Sequence, residues 1–216
     1  MQILIGDAVV LPSILEEIDN LQHISTDTAM EKAYKIRTTL FDVLVRLSRW
    51  DGQFKIEEKP SPASLQHADV RDCQQDEIPD FWFSNVLAAN VYTHMWAFQI
   101  ICLTELAKAS LFLPNDHGSS ISGVGEMDIK HKKRISALAT KICQCMEYLL
   151  QDEMRLYGPA AALFTLKTAY GVLIGDMEGN KEQIKRCWMF FDRIRDRGYL
   201  SATVHTTKHW EANSQG

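Results

Sequence analysis

The stretch from Asp80 to Leu113 constrains this chain more than any other, because apolar residues cover nearly every side of it until Pro114 ends it. A helix that is apolar all round cannot sit at a surface and must be enclosed. At about 1.5 Å per residue it would run on the order of 50 Å, straight or bent. Its most apolar part, Val86 to Ala107, nevertheless holds Asn90, His94, Gln99 and Glu105. Such groups are costly in hydrocarbon, so the segment predicts the central helix of a protein core rather than a membrane span.

The rest of the chain reads as helices packed around it. Leu11 to Leu21 predicts a short amphipathic helix with Pro12 in its first turn, where the missing N–H costs little. Ser25 and Asp27 can cap a second helix from about Thr28 to Trp50. Its Ala33, Ile36, Leu40, Val43, Leu44, Leu47 and Trp50 keep a three-four spacing and share one stripe, and Asp51-Gly52 stops it. Further helices are predicted from about Met127 to Gln151, from Gly158 to Met177 with Pro159 in the first turn, and from Lys181 to Arg197 with Gly198 as C-cap. Residues 53–79 carry Pro60, Pro62 and Pro79 and no apolar period, and read as a long connection. Residues 114–126, containing NDHGSSISGVG, read as a second long loop. No segment shows sustained strand alternation. The expectation is all-α: a single-domain multi-helix bundle over residues 1–205 around a long central helix, then a polar tail at 206–216.

With 216 residues, 46% hydrophobic and 24% charged, the chain can bury a substantial core. Its net charge is −5 and its densest basic patch, His131 to Arg134, is short. Nucleic-acid binders present a basic face to phosphates, so no direct nucleic-acid partner is expected. The amino terminus lacks a basic n-region, and no secretory signal is expected. The five cysteines, Cys73, Cys102, Cys143, Cys145 and Cys187, form no C-x-x-C pair and no framework spacing. They point to a reducing compartment, the cytoplasm, and to no metal site.

Several phrases resemble the fungus-specific transcription factor domain, the helical middle domain of fungal zinc-cluster regulators. Leu11-Pro12 with Leu15 and Asp19 resembles its entry helix. Ala88, Ala89, Tyr92 and Trp96 resemble the alanine-and-aromatic pattern of its central helix. The run from Ile142 to Tyr148 is similar to its I-C-x-S-x-x-Y phrase, with Cys145 in the serine position. Gly158, Leu163, Leu166 and Ala169, then Trp188, Ile194, Arg197, Gly198 and Ala202, resemble its two closing elements. The resemblance implies a helical effector-responsive domain and brings no catalytic residues with it. The six-cysteine DNA-reading cluster of those regulators is missing, since five cysteines without a C-x-x-C pair cannot build it.

The usual enzyme signatures are absent: no phosphate loop, no G-x-S-x-G elbow, no H-E-x-x-H and no dinucleotide fingerprint. No cofactor is therefore expected. What remains are polar groups embedded in apolar helices. Asn90 and His94, i and i+4, share one face, with Phe83, Leu87, Phe98 and Ile101 near it and Trp82, Met95 and Trp96 beside it. The set can line a pocket in which His94 supplies a proton or hydrogen bond. The plainer reading, which comes first, is packed core whose polar members fix helix register. Glu147, one turn after Cys143, is a general acid if buried alone and a structural partner if a Lys or Arg meets it. Lys167, three residues before Tyr170, either lines a cavity with it or snorkels to the surface. His205 and His209 would pair on a metal only in a helix, which the neighbouring threonines oppose.

The catalytic candidates are therefore His94, Tyr92 and Glu147, with Trp82, Phe83, Leu87, Asn90, Trp96, Phe98, Tyr148, Lys167 and Tyr170 as substrate-binding residues. The expected function is small-molecule binding in fungal secondary metabolism, as a cofactor-independent cyclase or isomerase acting by confinement of a terpenoid or polyketide. The alternative is the effector-binding domain of a zinc-cluster-type regulator without its DNA reader, which would place it in the nucleus. The expected partner is an apolar substrate or effector, and a homodimer stays open.

Overall fold

A computed structural model describes residues 1–53, 55–59, 80–114 and 122–199. Helices account for most of them, as expected. In chain order the elements are α1 (Gln2–Ala8), α2 (Leu11–Asn20), α3 (Thr26–Ser48), β1 (Ile56–Lys59), β2 (Asp80–Phe83), α4 (Val86–Ser110), α5 (Ser122–Gln144), α6 (Met146–Leu149), α7 (Tyr157–Leu173) and α8 (Lys181–Asp196). Single 3-10 turns stand at Leu21–His23, Asp152–Met154 and Ile174–Asp176. The chain divides into two compact units, Met1–Gln53 with His94–Leu138 and Phe54–Thr93 with Ala139–Gly216, so α4 contributes to both.

In the first unit α1 and α2 pack on α3. The predicted stripe is the reason: Ala33, Ile36, Leu40, Val43 and Leu47 are at most 2% exposed. Each large member stabilises the fold by about 1.5–3 kcal/mol relative to exposure. The short α1, not anticipated from the sequence, buries Leu4 and Ala8 one turn apart. Asp7 ties its end to the end of α3, accepting from Trp50 Nε1 at 3.1 Å and facing Arg46 Nε at 3.6 Å. Gly52, at φ +77°, follows where the chain must leave the helix.

The second unit corrects two expectations. Asp80 does not begin the long helix, and the connection before it is not free of strand: β1 and β2 pair antiparallel, with Ile56 opposite Phe83 and Lys59 opposite Asp80. Aromatic residues suit a half-buried strand, and Phe81 and Phe83 are buried. Asn85 then caps α4, its Oδ1 accepting from the Ala88 N–H at 2.9 Å. The second correction concerns the helix expected through Gln151. It breaks at Cys145, so Cys143 and Glu147 do not share one continuous helix face. The loop expected over 114–126 is shortened as well, because α5 begins at Ser122. The polar tail, Cys73, Ala202, His205 and His209 lie outside the described residues.

The joint after α6 is held from α8. Leu150 O accepts from Arg193 Nη2 at 3.0 Å and Arg197 Nη2 at 2.7 Å, and Gln151 O accepts from Arg197 Nη1 at 3.0 Å. The Leu150 carbonyl would otherwise be orphaned at a helix end, whereas Gln151 O also accepts from the Met154 N–H at 3.1 Å. Gly158 passes so close to the Leu149 carbonyl that no side chain fits there. Gly198, at φ +95°, closes α8 as predicted: its N–H reaches Arg195 O, and the Tyr199 N–H reaches Ile194 O.

The long helix α4 is enclosed over most of its length. It is long and apolar enough to cross a membrane by length and composition, but 72% of its most apolar window is buried inside the protein. Tyr92, Met95, Trp96 and Ile100 are each at most 2% exposed.

Candidate functional site

Four of the predicted binding and catalytic residues converge in the second unit. β2 presents Trp82 and Phe83, α4 presents Tyr92, and α6 presents Tyr148. The Trp82 and Tyr148 rings meet edge-on at 5.7 Å, Phe83 and Tyr148 at 5.4 Å, and Phe83 and Tyr92 lie 6.0 Å apart. Such offset and edge-to-face pairs each add about 0.5–1.5 kcal/mol beyond burial. β2 is fixed there by Asp80, fully buried, whose Oδ1 binds Arg186 Nη2 of α8 at 2.6 Å. Lys59, opposite on β1, sets its ammonium 4.2 Å from the centre of a Trp82 ring.

Two hydrogen-bond donors stand in this cluster. Trp82 Nε1 is buried and has no acceptor among the described residues. An indole N–H left so costs about 1–3 kcal/mol, so its position is a feature to be explained. The Tyr148 residue is 6% exposed, and burial pushes its hydroxyl above the usual phenol range, which keeps it a neutral donor. Beside the cluster, Asn90 Nδ2 donates to Tyr157 Oη at 3.1 Å.

The remaining candidates fall elsewhere. Glu147 is half-buried and bound by Arg193, Oε2 to Nη1 at 2.8 Å, so it takes the structural role weighed for it rather than standing as a lone acid. Tyr170 accepts from Trp188 Nε1 at 3.2 Å and meets Phe191 edge-on at 5.7 Å, while Lys167 is half-buried three residues before it. Leu87 is exposed, at 48%. His94, Trp96 and Phe98 belong to the first unit, where Trp96 is buried and the His94 and Phe98 rings lie 6.2 Å apart. The structure thus groups Trp82, Phe83, Tyr92 and Tyr148.

Sequence reasoning missed Lys59, Asp80 and Arg186, which depend on the sheet. Ser84-Asn85 before an apolar run was a helix-start signal that could have exposed β2. A shallow depression of about 300 Å³ lies at the joint, lined by Asp152, Arg155, Leu156 and Arg197, and shares no residue with the aromatic cluster. No group of three or more His, Cys, Asp or Glu is placed to hold a metal among the described residues.

The class defined so far is a mostly helical protein of two compact units, one carrying an aromatic cluster that holds a buried indole N–H without an acceptor among the described residues. No protein family, curated protein or solved structure matches the chain.

Proposed function

We propose that this chain binds an apolar small molecule against Trp82, Phe83, Tyr92 and Tyr148, with a carbonyl or ether oxygen accepting from Trp82 Nε1. The observation that carries this reading is the buried indole N–H without an acceptor, set among aromatic rings. Small-molecule sites are mostly apolar with a few placed polar groups, and this cluster has that composition. As an enzyme, the chain works as a cofactor-independent cyclase or isomerase on a terpenoid or polyketide of fungal secondary metabolism. The rings hold the substrate in a reactive shape, and the neutral Tyr148 hydroxyl polarises its carbonyl.

The second reading is an effector-binding domain of the zinc-cluster-regulator type, which binds at the same cluster without turnover. The Arg193–Glu147 pair favours it, because it removes one expected acid from catalysis.

Calorimetric titration of the full chain with acyclic terpenoids and polyene polyketides, followed by product analysis, separates the two. Trp82→Phe keeps an aromatic ring at the position while removing the N–H, and weakens binding about tenfold with circular dichroism unchanged. Turnover that falls about 10²-fold in Tyr148→Phe supports the enzyme; binding without turnover supports the effector domain. No binding of either class, or binding indifferent to Trp82→Phe, overturns the proposal.

A further inference from the structure

Apart from this site, α3 carries a second stripe that its own fold does not use. Its buried face runs through Ala33, Ile36, Leu40, Val43 and Leu47. Roughly 150° around the helix, at about 100° per residue, Tyr34, Thr38, Phe41 and Val45 face solvent. Three large apolar side chains are thereby exposed, Tyr34 by 48%, Phe41 by 43% and Val45 by 55%. The four residues are spaced four, three and four apart, the d-a-d-a rhythm of a heptad seam. The positions this assigns to a, Thr38 and Val45, are both β-branched, which in parallel coiled coils favours two strands.

The charges beside the seam select an occupant. Arg37 precedes Thr38 and so takes a g position; Asp42 follows Phe41 and takes an e position. Both are exposed, and neither has an ion-pair partner in its own chain among the described residues. They lie five residues apart, the spacing at which g of one helix meets e of its parallel twin. Antiparallel pairing would instead set each Arg37 against the other. Arg37 also leans over the seam, its guanidinium carbon 6.0 Å from the Phe41 ring centre. Glu31, at the preceding a position, would face its own copy and so limits the seam at that end.

We infer that α3 is a self-association surface, on which two copies of the chain pair in parallel along Tyr34, Thr38, Phe41 and Val45. Arg37 of each copy lies opposite Asp42 of the other. A seam of two heptads is small, so the dimer is weak, with Kd on the order of 10–100 μM.

Sedimentation velocity of the full chain from about 1 μM to about 500 μM spans that range. The expected result is a concentration-dependent monomer–dimer equilibrium. Phe41→Glu, at an exposed position and with unchanged circular dichroism, abolishes it. Arg37→Asp and Asp42→Arg each raise Kd about 3- to 10-fold, because each puts like charges face to face. The double variant Arg37→Asp/Asp42→Arg returns to the wild-type Kd. A monomer at the highest concentration overturns the inference and leaves the stripe to a different protein. A dimer indifferent to Phe41→Glu, or a double variant that fails to recover, overturns it as well.

Discussion

At the scale of single residues, Gly158 and the buried thiols carry the sharpest expectations. A Cβ at position 158 would run into the Leu149 carbonyl oxygen and the Met154 side chain. Backbone cannot yield there as a flexible side chain could, so Gly158→Ala destabilises the chain by about 1–3 kcal/mol, read as a fall in the urea midpoint. Cys102 is buried, and burial pushes its thiol up to about 12 from the ordinary 9.0. Cys187 is pushed up by its hydrogen bond with Cys143, Sγ to Sγ at 3.4 Å, and by burial; Cys145 is pushed up chiefly by burial. Above the ordinary thiol value the unfolded chain ionises first. The stabilisation tied to the protonated Cys102 thiol is therefore whole below about pH 9 and is lost as pH rises towards 12. Cys102→Ala tests this: its stability deficit against wild type shrinks as urea titrations move from pH 7 to about pH 10.5.

At the scale of elements, the decisive contacts are those by which α8 holds the end of α6. Arg193 and Arg197 stand one turn apart, so both guanidinium groups reach the Leu150 carbonyl, and Arg197 also reaches that of Gln151. Arg197 also meets Asp152 at 2.8 Å, but that carboxylate is 99% exposed and adds little. Arg197→Ala therefore costs about 1–3 kcal/mol through the hydrogen bonds lost at both carbonyls, although Arg193 still reaches Leu150 O and the Met154 N–H still reaches Gln151 O. Arg197→Lys does not recover it, because one ammonium cannot copy the planar fork. Hydrogen exchange should speed up locally over residues 149–158 before the rest of the second unit; uniform exchange would contradict this account.

At the scale of the whole molecule, a net charge of −5 sets the expectation for nucleic acid. The full chain should give no sequence-selective anisotropy change with duplex DNA at low salt, and selective, salt-sensitive binding would contradict the reading. The residues that carry the resemblance to fungal regulators also find physical roles. Gly158 permits a close backbone approach, Arg197 caps carbonyls, Gly198 closes α8, and Cys143 and Cys145 are buried around the break after α5. These are architectural positions: each packs or caps, and none stands in the aromatic cluster.

Local pattern alone determined the helical class, the enclosed course of α4 beyond its first turn, the buried stripe of α3 and the glycine that ends α8. Periodicity and φ > 0 are properties of a residue and its near neighbours, so they can be read along the chain. The site was legible as a list of aromatics but not as a grouping. Trp82 and Tyr148 meet only because β2 pairs with β1 and packs on α6. The fate of Glu147 was likewise undecided, since its partner Arg193 lies 46 residues away. Whether a buried polar group is a tool or a tie depends on which charge the fold brings beside it, and that is settled by long-range packing.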